Sequence, residues 1–292
     1  MFIATLIAKE RLSSGDISAA ADALADSGIE AYGRSWIEDD KACDLLFSAD
    51  PAPARTALEG LLPGVDVVVQ GEAGRRRRLL VADMDSTMIA VECIDELADY
   101  AGLKAEVAAV TERAMRGEIE FEAALSERVA LLRGLDEAMI DRCREERVRL
   151  TPGAMALVRT MKRAGAFTIL VSGGFTRFAE PIGAEIGFDR VVANRLRMED
   201  GKLAGEVERP ILGAEGKRMA LVDALVEQGL APDSSLAVGD GANDIPMLKE
   251  AGLGVAYHAK PAAVAAADAS LVHNDLTALL YAQGWARAEW AE

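Results

Sequence analysis

Asp83-Met-Asp85-Ser-Thr87 stands directly behind the apolar run Leu79-Leu-Val-Ala82. Two carboxylates at the end of a buried run can divide a displacement at phosphorus between them: Asp83 attacks and forms an acyl phosphate, and Asp85 passes the proton. The obstacle is charge. Each like-charge contact at about 4 Å costs ~4 kcal/mol at an effective dielectric near 20. A phosphate can approach such acids only beside a divalent cation, and hard carboxylate oxygens with positions left for water and substrate suit Mg2+. Asp83, Asp240 and Asp244, with Asp85 beside them, are the candidate metal ligands. As charge shifts in the transition state, the remaining phosphoryl oxygens need further donors. The Ser172 hydroxyl, the backbone around Gly173 and Lys217 can supply them. Thr87 is expected to brace the loop by hydrogen bonding.

Placing these residues together is the task of three buried strands. Leu79–Ala82, Phe167–Val171 and Ser235–Gly239 are short apolar runs, and each stops at a polar or glycine-rich turn. The turns are Asp83 to Thr87, Ser172-Gly173-Gly174 and Asp240-Gly-Ala-Asn243-Asp244. Helical patterns lie between them, over 152–164 and over 217–228, the second with Met219, Val222, Leu225 and Val226 on one expected face. Strands alternating with helices make a parallel sheet with right-handed crossovers, and its ligands bind beyond the carboxyl ends of the strands. All three turns then share one edge. The lysine in Gly213-Ala-Glu-Gly216-Lys217 is not that of a Walker loop, since Ile211 replaces the first glycine and Arg218 the Ser/Thr.

The 292 residues, 51% of them hydrophobic, are enough for two or more domains with a sizeable core. A net charge of −16, from 48 acidic against 32 basic residues, repels nucleic acid and anionic membranes, so phosphate recognition must be local. Cys43, Cys93 and Cys143 are widely spaced and odd in number, which fits reduced, buried thiols and a cytoplasmic location. His258 and His273 lie outside the three turns and read as surface or structural residues. Neither a signal peptide nor an apolar run of membrane-spanning length is expected.

Residues 1–74 read strand, helix, strand, strand, helix, strand, the order of a ferredoxin-like α+β unit. Arg75 to Arg78 then read as a solvated hinge into the core, which comprises 75–91 and 151–292. Residues 92–150 are charged and helix-favouring, the pattern of a cap inserted over the crevice to exclude water. Asp200-Gly201 marks the turn of a small hairpin over 195–207.

These motifs resemble the haloacid dehalogenase superfamily of aspartyl phosphatases: Asp83-x-Asp85-x-Thr87, Ser172-Gly173, Lys217 and Gly239-Asp240-Gly-Ala-Asn243-Asp244 stand in its motif order. Within it, the phosphoserine phosphatase branch is similar over roughly residues 79 to 260. The resemblance implies a Rossmann-like core with a helical cap, Mg2+ dependence, and hydrolysis of O-phospho-L-serine, the last step of serine biosynthesis. It also implies catalytic roles for Asp83, Asp85 and Lys217, with Ser172, Gly173, Lys217 and Asn243 at the substrate. From the cap it assigns Glu92 to the substrate amine, Arg128 to its carboxylate, and Met115 and Phe121 to the pocket wall. A zwitterion needs one anion and one cation, which fits the first two. A related phosphomonoesterase, or a phosphotransferase with another small substrate, is the alternative. The N-terminal unit resembles ACT-type domains, which leaves it sensing an amino acid such as serine, holding a homodimer together, or shielding the core.

Overall fold

The protein is described by a computed structural model over residues 1–291, the side chain of Met115 lying outside the described part. The chain opens with β1 (Phe2–Ala8), α1 (Ser14–Asp26), β2 (Gly33–Glu38), β3 (Ala42–Phe47), α2 (Pro51–Leu58) and β4 (Val65–Gly71). These strands form an antiparallel sheet in the order β2-β3-β1-β4. The first helix starts where a capping box permits: the Ser13 hydroxyl accepts from Asp16 N–H at 3.2 Å, and Asp16 accepts from Ser13 N–H at 2.8 Å. Ile17, Ala20 and Leu24 then face Leu6, Leu45 and Phe47 of the sheet in one buried cluster.

The core follows as β5 (Leu79–Asp83), then the cap helices α3 (Cys93–Tyr100), α4 (Lys104–Met115), α5 (Phe121–Leu131) and α6 (Glu137–Arg147). Next come α7 (Ala154–Arg163), β6 (Phe167–Phe175), α8 (Thr176–Ile186), β7 (Arg190–Asn194), and the hairpin β8 (Leu196–Glu199) with β9 (Lys202–Val207). The chain ends with α9 (Ala214–Gln228), β10 (Ser235–Gly239), α10 (Ile245–Glu250), β11 (Leu253–Tyr257), α11 (Pro261–Ala266), β12 (Ala269–Leu271) and α12 (Ala278–Ala282). Six strands make a parallel sheet in the order β12-β11-β10-β5-β6-β7. The chain reverses its direction of travel on either side of β5, and a crevice opens at such a switch point. Register brings the tips level: Asp83 pairs with Val171, and Ala82 with Val238.

The two linkers of the cap lie side by side. Ala90 N–H donates to Arg149 O and Thr151 N–H to Met88 O, both at 3.0 Å. The hairpin turns at Asp200 and Gly201, with φ of 50° and 74°, and binds the cap through Gly134 N–H to Leu203 O at 2.8 Å. The three cysteines are free and buried. Among the described residues no helix is long and apolar enough to cross a membrane.

Three expectations need correction. Met219 and Val226 are exposed, at 39% and 77%, and α9 instead buries Lys217, Leu221, Ala224 and Leu225. The face is rotated because the Lys217 ammonium has buried partners that periodicity cannot register. Arg75 and Arg77 are not a solvated hinge; Arg75 binds Asp44 at 2.5 Å and Arg77 binds Gln70 Oε1 at 2.6 Å. Thr87 does not brace its loop, for its buried hydroxyl has no hydrogen-bond partner among the described residues.

Candidate active site

Lys217, wholly buried in the first turns of α9, donates from Nζ to Asp83 Oδ1 at 2.5 Å and to Asp244 Oδ1 at 2.7 Å. The second oxygen of Asp244 accepts from the backbone N–H groups of Asp240 (3.1 Å) and Gly241 (3.0 Å). One carboxylate thereby ties the turn after β10 to the lysine helix and, through the lysine, to the tip of β5. Asp83, Asp240 and Asp244 each offer an oxygen within 4.8 Å of the others. Asp240 is 8% exposed, and its carboxylate has no hydrogen bond or ion pair among the described residues. A buried, unpartnered acid beside two others is a poor arrangement for three anions alone and a fitting one for a hard dication. Because Asp244 spends both oxygens on Lys217 and the turn, Asp83 and Asp240 have the freer lone pairs.

Asp85 lies outside that trio. Its Oδ1 accepts from Cys93 N–H at 2.8 Å, at the start of α3, and its Oδ2 accepts from the Ser172 hydroxyl at 3.2 Å. The carboxylate therefore links the cap's first helix to the tip of β6, and its side chain is not brought into the metal group. The turn behind it places Ser86 at a left-handed φ of 55°, from which its hydroxyl donates to Glu92 Oε1 at 2.8 Å. A side chain at Gly174 would put Cβ 2.9 Å from Asp85 Oδ2, so the backbone must be bare there.

Electrostatics separates the acids. Burial, then the Asp244 carboxylate, pushes Asp83 well above the ordinary carboxylate range, against the pull of Lys217. Burial, then Glu92, raises Asp85 to about 6. Burial and Asp244 likewise raise Asp240. Burial works to lower Lys217, but Asp83 and Asp244 outweigh it and hold the ammonium charged.

Of the cap residues, Arg128 is partly buried, donates from Nε to Ala124 O at 3.4 Å, and has Asp95, Glu92 and Asp85 as the acids that act on its charge. Glu92, at the N-cap of α3, is thus brought with Arg128 to the Asp85 side of the crevice. Phe121 lies over the catalytic loops: a Cβ at Gly173 would stand 3.4 Å from its ring and one at Gly213 3.5 Å. Asn243 is half-buried in the turn after β10. Met115 lies in α4, and its side chain is outside the described residues.

Asn194 was missed. It is 3% exposed and donates from Nδ2 to Gly173 O (2.8 Å) and Leu212 O (3.2 Å), while its Oδ1 accepts from Leu212 N–H at 2.7 Å. It fixes the Ser172 loop to the segment leading into Lys217. The exposed Lys260 was missed too; its N–H donates to Asp240 O at 3.0 Å, and its charge favours ionised Asp240 and Glu92.

A parallel sheet with an acid at the tip of its central strand, a buried lysine bridging two acids and a helical insertion after that strand define a Rossmann-like hydrolase. The chain belongs to the haloacid dehalogenase-like hydrolase family, whose pattern it matches over residues 80–249. It is 47% identical over 227 residues to a phosphoserine phosphatase of Mycobacterium tuberculosis, covering 77% of this chain and 55% of that one. It is 51% identical over 189 residues to a phosphoserine phosphatase of Polaromonas, covering 63% of this chain and 80% of that one. The fold superposes on an unliganded probable phosphoserine phosphatase from Vibrio cholerae with a TM-score of 0.78 at 30% identity, over 98% of this chain and 88% of that one. The chain thus spans little more than half the length of its mycobacterial relative.

Proposed function

We propose that the protein is a Mg2+-dependent phosphatase that hydrolyses O-phospho-L-serine to L-serine and phosphate, closing serine biosynthesis. The observation that carries this reading is the division of labour between Asp83, held by Lys217, and Asp85, raised to about 6 beside Ser172. Identities of 47% and 51% to phosphoserine phosphatases support the choice of substrate.

In the proposed sequence Asp83 attacks phosphorus with the oxygen that Lys217 leaves free, and the bond from phosphorus to the serine oxygen breaks. Protonated Asp85 gives its proton to that oxygen, so L-serine leaves neutral at its hydroxyl. Asp85, now a carboxylate, takes a proton from a water that attacks the aspartyl phosphate, which releases phosphate and restores both acids. Bound magnesium would be held by Asp83 and Asp240 with Asp244 behind them, and it would supply positive charge against the phosphoryl oxygens. Ser172, the Gly173 backbone, Asn243 and Lys217 would hold the phosphoryl group. Glu92 would take the substrate ammonium, Arg128 its carboxylate, and Phe121 would exclude water above Gly173. The proposed division is an N-terminal unit over 1–74, a core over 75–91 and 151–292, and a cap over 92–150.

Phosphate release from a panel of phosphomonoesters, with and without Mg2+, tests the reading. Losing a bidentate carboxylate grip should raise KM for phosphoserine about tenfold or more in Arg128→Ala, with p-nitrophenyl phosphate turnover unchanged. Equal use of phosphoserine by variant and wild type would sink the substrate assignment. A folded Asp83→Asn variant that kept its activity would sink the chemistry.

A further inference from the structure

The N-terminal sheet and the core border a cavity of about 290 Å³, its core side formed in part by the end of β11, the strand next to the one that leads into Asp240. It is lined by Lys9 and Lys41 from one side and by Tyr257, His258 and His273 from the other, with Asn274 and Asp275 at its edge. For a chain of net charge −16 this is an unusual gathering of donors.

We propose that this seam cavity is a binding site for a phosphate group, separate from the catalytic crevice. The Lys41 ammonium crosses the seam, donating to Lys9 O at 2.8 Å and Asn274 Oδ1 at 3.3 Å, which leaves its third hydrogen unused. Lys9 has no partner for its ammonium among the described residues. Tyr257 is 6% exposed, yet its hydroxyl makes no hydrogen bond among the described residues. The hydroxyl itself is not sealed from solvent, and it can donate to a ligand in the cavity. The His258 ring donates from Nε2 to Asn274 O at 3.0 Å, which leaves Nδ1 of the neutral ring a lone pair, and the residue sits at a strained φ of 44° against the edge of Tyr257. The ring of His273 is also unpartnered.

Of the nearby carboxylates, Asp66 is committed through both oxygens and Asp275 through Oδ1, while the Glu10 carboxylate makes no bond among the described residues. Asp66 accepts from the N–H groups of Val272, His273 and Asn274 and from Asn274 Nδ2, and Asp275 accepts from Thr277 N–H and its hydroxyl. Two ammonium groups and a phenol facing one cavity match the oxygens of a phosphate, which has acceptors to spare and needs cations. Burial lowers the pKa of Lys41 against the pull of Asp275 and Glu10.

The chain's only two histidines both line this cavity, which makes them a specific reporter. Imidazole NMR signals of the full-length, Mg2+-free protein would be followed at neutral pH while inorganic phosphate or methyl phosphate is added. Both histidine signals should shift with one saturating curve. A response to inorganic phosphate alone would mark a site for the free ion, and a response to both would mark a site for phosphomonoesters as well. Lys9→Ala, an exposed change that removes no internal bond, should weaken the apparent affinity about tenfold, and Lys41→Ala at least as much. Histidine signals that stay put, or that drift linearly to ~100 mM phosphate as they do with chloride, would overturn the proposal.

Discussion

At Lys217 one buried ammonium serves two carboxylates, and that arithmetic sets the acid–base behaviour of the whole site. Three acids of the crevice, Asp83, Asp85 and Asp240, are raised from the ordinary range, first by burial in each case. A raised carboxyl binds its proton more tightly in the native than in the unfolded chain. It therefore does no harm below the unfolded value near 3.8 and takes stability away as pH climbs through the folded value, about 6 for Asp85. Lys217 is shifted upward too, so its contribution is complete throughout that window and fades only at strongly alkaline pH. The metal-free protein should lose Tm between about pH 4 and about pH 6, and the Tm gained from Mg2+ should grow over the same interval as the cation replaces protons. Calorimetry with and without Mg2+ would check this, and a magnesium increment equal at both ends would contradict it.

The elements that carry these residues work through bare backbone as much as through side chains. At the end of β10, a Cβ on Gly239 would stand 2.4 Å from Asp244 Cγ. Gly239→Ala must therefore push Asp244 off the Asp240 and Gly241 N–H groups and off Lys217 in one movement. A displacement of about 1 Å at a reacting centre costs on the order of a hundredfold in rate, so kcat should fall at least that far. Overpacking of this kind should take only about 1–3 kcal/mol from stability, leaving a folded protein by circular dichroism. Near-wild-type turnover would show that Asp244 does not position the lysine. This element also marks how far the sequence was legible. The tips of β5, β6 and β10 could be read because each buried run ends abruptly in acids or glycines. Lys217 was marked by its place at the start of the helix before the Asp240 strand, a weak signal because a lysine in a helix is by itself an ordinary surface residue, and its burial turned the apolar face of α9 away from Met219 and Val226. Asn194 left no signal, because its work is done on backbone atoms of Gly173 and Leu212, which no residue type records.

On the scale of the whole molecule, the N-terminal sheet is fused to the core rather than tethered beside it. Ile7, Ala42 and Val68 on its second face belong to the same buried cluster as Leu279 and Tyr281 of α12. Polar contacts run through the same seam: Gln70 donates to Ala282 O at 2.7 Å, Gln283 accepts from Arg77 N–H at 3.0 Å, and Arg76 stacks 3.5 Å over the Trp285 ring. The decisive contact is Arg75 with Asp44, because Asp44 sits on β3 at 4% exposure, and among the described residues its carboxylate has only the Thr5 hydroxyl, at 2.7 Å, as a further partner. Removing one member of a buried pair leaves the other charge without compensation, which costs on the order of 3 kcal/mol. Arg75→Ala should therefore lower the guanidinium unfolding midpoint clearly, whereas Arg11→Ala, which breaks an exposed pair with Asp40, should leave it nearly unchanged. Trp285 and Trp290 pack against the buried cluster at this seam, while Trp36 packs in the N-terminal unit's own cluster, so fluorescence from the first two reports the seam's opening. If the seam holds the two units as one cooperative body, wild type unfolds in a single transition. Arg75→Ala should then split off an early fluorescence change that precedes loss of helical circular dichroism, and coincident curves at an unshifted midpoint would mean that the apolar face alone binds the units together.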